Sequence, residues 1–534
     1  MENEIIVIII VAVIVALSTL SHRVGIAPPL ILMVVGVGVS FLPFIDFPII
    51  EPHWILAIIL PPLLYGAAIA IPTVDLRRDF GAIGGMAVIL VVISSVAIGF
   101  LFHWLLDISI PLGIAMGAIL SPTDAVATTI GKRLGVPSRV GVILQGESLF
   151  NDATALVLLR SAIAATAAAV SLWEVVLEFL WAALAAAAIG AVVGWIGVRL
   201  RKFIHEPGAA TAISLLLPFV AFVPAELIEA SGLVACVAAG LVAAHLGPKH
   251  IDARQRLSDR ANWHTVEFLL EGAVFLGMGL ELYALIVEVR ADHGSLWLAA
   301  GVAGLALLTV LILRGGFLAV LLQRTHAKAN RMAELTERMQ ADEGAHLRAR
   351  WENTRRLRAK VGKQDLRVRL KRYFADSHYL MVQSLGLKEG TLLTWAGMRG
   401  VVTLAAAQTL PWGTPHRSLL IVIAFFIAAG SLLLQGGTLG PVIKGLGLAG
   451  QSAAPEGELT RLRQELAEEA EAYEPTEDEA ASDDSLTLAK IRAQRVLILE
   501  LRSTATYSSD SLTSALAALD AEEVAILVRL ADHE

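Results

Sequence analysis

Glu147 and Asp152 lie inside a largely apolar stretch, Val140 to Thr166, in the run Gly146-Glu147-Ser148-Leu149-Phe150-Asn151-Asp152-Ala153-Thr154. A carboxylate at bilayer depth costs roughly 2.5–3.5 kcal/mol on insertion scales, so a chain keeps one where a partner or a pathway uses it. Residues four apart on an α-helix lie about 40° from one another, so Ser148 and Asp152 share one face and Glu147 and Asn151 the adjacent one. One helix therefore presents a hydroxyl, an amide and two carboxylates as a patch of oxygen ligands suited to a hard monovalent cation. A single Asp holds either a proton or a cation, not both. Competition of that kind is sufficient for exchange if the site faces the two sides of a membrane in turn.

A second polar run, Ser121-Pro122-Thr123-Asp124-Ala125, falls near the middle of another apolar segment. Proline in mid-helix removes a backbone hydrogen bond and clashes with the preceding turn, which predicts a break where freed carbonyls and the Thr123 hydroxyl become ligands. Asp124 either binds the ion or neutralises the helix ends at the break. Arg399, in Gly397-Met398-Arg399-Gly400, sits at mid-depth between glycines that favour another break, and would offset charge there. Counting inward from the ends of their segments at 1.5 Å per residue, Glu147 and Arg314 lie at similar depth, which predicts a structural ion pair and leaves Asp152 alone to titrate. Arg160 lies too far along for a direct pair with Asp152. Glu226, Glu229 and His245 lie near segment ends. Glu267 and Glu271 open one segment and Glu281 closes it, where they can line funnels without acting as primary ligands.

The elements that carry these residues are membrane spans. Mean hydropathy is +0.68, with 56% hydrophobic and 17% charged residues in 534, too apolar for a soluble domain of this size. The expected fold is all-α and polytopic. About thirteen spans can be drawn, at 4–20, 25–42, 53–71, 83–106, 110–131, 140–166, 171–198, 210–228, 231–247, 264–289, 295–323, 389–410 and 416–442. Alternate loops are basic, among them Arg77-Arg78, Lys132-Arg133 and Arg199 to Lys202, whereas the others contain Asp46, Glu51, Asp107, Glu174 and Glu229. By the positive-inside rule this places the N-terminus outside and the C-terminus in the cytoplasm. The first span follows Met-Glu-Asn-Glu without a basic leader region and reads as uncleaved.

Residues 1–445 thus form the membrane domain, interrupted by a basic helical insert at 324–385. Residues 451–534 form a helical, acidic cytoplasmic tail that is a candidate seat for a regulator. Its apolar-periodic segments, Leu486 to Leu501 and Leu512 to Leu530, are expected to pack on themselves or on a second subunit. Cys236 is the sole cysteine, so neither a disulfide framework nor a cysteine metal site is available. No cofactor and no nucleic-acid partner is expected.

Ser121-Pro-Thr-Asp-Ala-Val-Ala, Gly146-Glu-Ser-Leu-Phe-Asn-Asp-Ala-Thr-Ala-Leu-Val, Phe275-Leu-Gly-Met-Gly-Leu and Gly397-Met-Arg-Gly-Val-Val, in this order and topology, resemble the cation:proton antiporter-1 family, the NhaP-type bacterial Na+/H+ exchangers. The resemblance covers about residues 1 to 445. It implies a thirteen-helix inverted-repeat fold with spans 5 and 12 broken, a homodimer in the bacterial inner membrane, and an elevator-like motion of a core domain. It further implies exchange of Na+ (or K+ or Li+) for H+ in pH and cation homeostasis, by a transporter and not an enzyme. Asp152 would be the exchanging carboxylate, binding cation and proton in turn, with Asn151 as its neutral neighbour where electrogenic relatives carry a second Asp. One-for-one electroneutral exchange follows. Thr123 and Ser148 match ligand positions, and Glu147 with Arg314 matches a structural pair. Ala125 departs from the proline common in the family, and the insert is not general. The alternatives are a proton-coupled solute carrier or a cation channel and, remotely, an intramembrane aspartyl protease built on Asp124 and Asp152. That last reaction requires two aspartates sharing a proton, for which the flanking residues are wrong.

Overall fold

The computed structural model describes residues 2–42, 52–167, 172–340, 383–451 and 457–533, apart from 25, 205, 293, 384, 478, 480–481 and 505, together with Asp376 and Tyr379. Most of the basic insert expected at 324–385 lies outside the described residues. Every regular element among the described residues is helical. Among the described residues eight helices are long and apolar enough to cross a membrane, and four shorter apolar helices accompany them: Ile8–Ser21, Pro28–Ser40, Ile55–Ala70 and Ile110–Ile119. With no water in hydrocarbon to satisfy backbone groups, helices with internal hydrogen bonds are the open solution for such a composition.

Two spans are interrupted, at the places where the sequence predicts it. Ile110–Ile119 stops before Ser121-Pro122-Thr123-Asp124, and Val126–Leu134 resumes beyond. Leu387–Trp395 stops before Gly397-Met398-Arg399-Gly400, and Val401–Gln408 resumes. The 30-residue helix Ser138–Ala167 runs unbroken beside the first of these and carries Glu147, Ser148, Asn151 and Asp152. Close approach fixes the neighbours: a methyl group at Gly117 would lie 2.2 Å from the Ser95 carbonyl oxygen, so only glycine lets Ile110–Ile119 pack this tightly on Val91–Leu106.

Some helices extend past the expected segments. Thr73–Leu106 begins ten residues before the expected border at 83, because its first turns carry Asp75, Arg77, Arg78 and Asp79 and drop out of a hydropathy window. The buried carboxylates among them are paired: Arg139 holds Asp79 at 2.7 Å and Arg78 holds Asp75 at 3.1 Å, as buried charges must be. Leu296–Gln340 runs on as one 45-residue helix.

The tail forms three helices, Glu458–Ala472, Asp483–Thr504 and Ser509–His533, around a core that includes Leu462, Leu466, Ile491, Ile498, Leu512 and Ile526. The two apolar-periodic segments therefore pack on each other within one chain. The bundle also touches the membrane domain. Asp520 takes a bidentate ion pair from Arg256, at the start of helix Ala253–Leu280, and a 3.0 Å contact from Arg495. Arg502 reaches the Thr73 hydroxyl at 3.2 Å.

Candidate functional site

The two breaks cross. The Asp124 N–H donates to the Met398 carbonyl at 2.9 Å, so each interruption satisfies part of the backbone left open by the other. Asp124 Oδ1 accepts the Val126 N–H at 3.0 Å, which makes it a cap for the resumed half-helix. Its Oδ2 is buried with no hydrogen-bond partner among the described residues. Of the two roles open to Asp124, helix-end neutralisation thus occupies one oxygen and leaves the other free to face a ligand.

Arg399 is buried at the same crossing. Its Nε donates to the Leu120 carbonyl at 2.9 Å, its Nη1 to the Gly397 carbonyl, and its own N–H to the Ser431 hydroxyl at 2.9 Å. A positive guanidinium against the carbonyl end of Ile110–Ile119 offsets the negative end of that half-helix dipole. Ser431 belongs to helix Arg417–Ser431, immediately before a π-helical turn at Leu432–Gly436. No single-sequence pattern marks that serine.

The helix Ser138–Ala167 lays its polar face on the crossing. Ser148 Oγ donates to the Thr123 carbonyl at 2.8 Å, and Asn151 Nδ2 donates to the Ser121 carbonyl at 3.1 Å and lies 3.4 Å from Thr123 Oγ1. Ser148, Asn151 and Thr123 are thereby brought together, and Asn151 Oδ1 remains unpaired. Asp152 is 5% exposed and its Oδ1 is buried without a hydrogen-bond partner. Among the described residues Asp152 forms no ion pair. Unpaired buried oxygens from Asp124, Asn151 and Asp152 are a costly arrangement for a protein at rest. Such a set fits a desolvated cation or a proton, either of which relieves the cost.

Glu147 has the opposite environment. Arg314 donates to both of its carboxylate oxygens, Nη2 to Oε2 at 2.7 Å and Nη1 to Oε1, and sends Nε to the Leu393 carbonyl at 2.9 Å. Both residues are about 1% exposed. A bidentate guanidinium with its third donor on a helix end is geometrically specific, and it fastens the unbroken helix to the Leu387–Trp395 half. Arg160, expected to have no direct partner at the site, pairs with Glu226 at 2.9 Å.

Gly400 sets the closeness of the crossing. A methyl group there would lie 2.2 Å from Asp124 Oδ2. Gly400→Ala is expected to displace that carboxylate or the start of Val401–Gln408, costing about 1–3 kcal/mol of stability and lowering any transport through the crossing about tenfold. Thermal unfolding in detergent and vesicle flux check the two halves of the expectation.

The chain is similar to known transporters. The transmembrane sodium/hydrogen exchanger family model matches residues 8–445. An uncharacterized Na(+)/H(+) exchanger of Mycobacterium tuberculosis is 29% identical over 449 residues, covering 82% of this chain and 74% of its own. A Na(+)/H(+) antiporter of Aphanothece halophytica is 27% identical over 430 residues, covering 79% and 70%. The structure of a sodium proton antiporter from Methanocaldococcus jannaschii superposes with a TM-score of 0.57 at 17% identity, covering 84% of this chain and 99% of that one. That likeness extends the resemblance from sequence to fold.

Proposed function

The chain belongs to the sodium/hydrogen exchanger family, and we propose that it exchanges a monovalent cation, Na+ foremost, for H+ one for one by alternating access, with Asp152 as the shared site. Cation:proton antiport is the activity that family and fold support, and it is transport and not enzymatic catalysis. The observation that carries the finer reading is the contrast between two neighbouring carboxylates. Glu147 is saturated by Arg314, whereas Asp152 has a buried oxygen without a partner. One acid is left to bind, and with a neutral Asn151 beside it a single charge is cycled. Ser148, Thr123 and Asp124 complete the oxygen set, while Arg399 compensates the crossing. A proteoliposome assay tests this. With the cation gradient as driving force, dequenching of a pH dye should follow Na+ and be indifferent to an imposed membrane potential. A rate that scales with the potential contradicts one-for-one exchange.

The same reading places the protein as a homodimer in the bacterial inner membrane, N-terminus outside and C-terminus cytoplasmic, serving pH and cation homeostasis. Residues 451–534 then act as a cytoplasmic regulatory unit. Their contacts support this role, because Arg256 and Thr73 stand on different helices and the tail holds both. If the core moves against its neighbours during exchange, the tail is a tether. Asp520→Asn should loosen it and raise the exchange rate about fivefold, the low end of typical coupling energies. Vesicle flux at saturating Na+ measures this, and an unchanged or lower rate contradicts the tether.

A further inference from the structure

Glu281 stands at the junction between helices Ala253–Leu280 and Leu282–Ala291. It is 25 residues beyond Arg256, roughly 37 Å along a nearly continuous helix, and so lies toward the face opposite the tail. The residue is only 8% exposed. Gln408 Nε2 donates to Glu281 Oε2 at 2.6 Å, and Gln408 is the last residue of Val401–Gln408, the half-helix that leaves the crossing. The bond therefore joins the junction of Ala253–Leu280 and Leu282–Ala291 to the element that starts beside Asp124.

Two features set this pair apart from a satisfied structural bond. Among the described residues Glu281 forms no ion pair, and Gln408 Oε1 is buried with no hydrogen-bond partner. The arginine at this end does not fill the gap. Arg417 donates to the Leu410 and Gln408 carbonyls at 2.9 Å and lies 3.9 Å from Glu288. A small cavity runs beside Glu281 along the half-helix, lined by Ile59, Gly277, Met278, Val401 and Leu404. Val401 to Gln408 spans roughly 10 Å, so the cavity lies between the pair and the crossing.

A buried carboxylate without a cation and an amide oxygen without a donor are ligands of the kind a hard, partly dehydrated monovalent ion takes, and a half-turn of the Gln408 amide exchanges the N–H now on Glu281 for that oxygen. We propose that Glu281 and Gln408 form a second binding subsite for the transported cation, through which it passes between the face opposite the tail and Asp152. The proposal rests on the exchange reading above. The junction at Glu281 supplies the charge and the half-helix supplies the neutral ligand, so the subsite forms where the two elements meet, with the Gln408 N–H holding the carboxylate here.

The test uses the full chain in vesicles of defined orientation, with Na+ presented to one face at a time. Glu281→Gln should raise KM for Na+ at the face opposite the tail about tenfold, the scale of one lost charge-assisted contact, and leave KM at the tail face within about twofold. The rate at saturating Na+ should be retained, and Glu281→Asp should recover part of the loss. Gln408→Leu, which keeps the charge, should shift the same KM in the same direction. An unchanged KM at the far face, an equal rise at both faces, or loss of exchange at saturating Na+ in both variants overturns the subsite while the exchange reading stands. A wild-type protein that moves no protons in response to Na+ overturns both.

Discussion

Asp152→Asn is expected to abolish Na+-driven proton movement, by at least about two orders of magnitude, while the protein stays folded. The substitution keeps the shape of the side chain and removes its charge. A cation taken from water into the crossing needs a full negative charge to offset its lost hydration, and neutral oxygens alone leave a large desolvation cost. An amide also cannot take up and release a proton in this range, so both halves of the exchange fail together. Stability should move the other way. A buried carboxylate with an unpartnered oxygen is a burden on the resting fold, and replacing it should leave the melting temperature unchanged or higher. Loss of transport with unaltered or improved stability is the signature of a working group. Loss of both would assign Asp152 to the scaffold.

Arg314→Ala should show the reverse pattern, with stability as the main casualty. Truncation strands Glu147 as an uncompensated buried charge and leaves the Leu393 carbonyl without its donor. Breaking one side of a buried pair typically costs about 3–5 kcal/mol, a large part of the margin of a folded protein. Neutralising both partners, as in Glu147→Gln with Arg314→Leu, should recover much of that loss, because no buried charge is then left alone. Thermal unfolding of the purified protein distinguishes the cases. An Arg314→Ala variant as stable as the parent would show that Glu147 is not held by this pair alone.

The two variants divide the carboxylates that the sequence sets five residues apart. Much of this site is legible in the sequence because it is local. Pro122 forces one break, Gly397 and Gly400 permit the other, and helical spacing puts Ser148 and Asp152 on one face. Depth counting brings Glu147 and Arg314 to one level, and the structure has them in contact across 167 positions. Contacts without a local signature are the ones that sequence reading misses. Asp79 with Arg139, Ser431 with Arg399, and Glu281 with Gln408 are 60, 32 and 127 positions apart, and each depends on how separate helices pack. The early start of helix Thr73–Leu106 is missed for a related reason. Its charges lower the hydropathy of the segment, and pairing of Asp79 with Arg139 and of Asp75 with Arg78 allows those carboxylates to be buried.

The central claim is that cation and proton compete for Asp152. Na+ added to the purified protein at a series of pH values, with the released protons counted, tests it most directly. Competition predicts close to one proton released per Na+ bound at the acid end, an apparent Kd that weakens about tenfold for each unit of falling pH where the proton holds the site, and neither signal in Asp152→Asn. A Kd for Na+ that does not change with pH, or proton release that persists in Asp152→Asn, would contradict it.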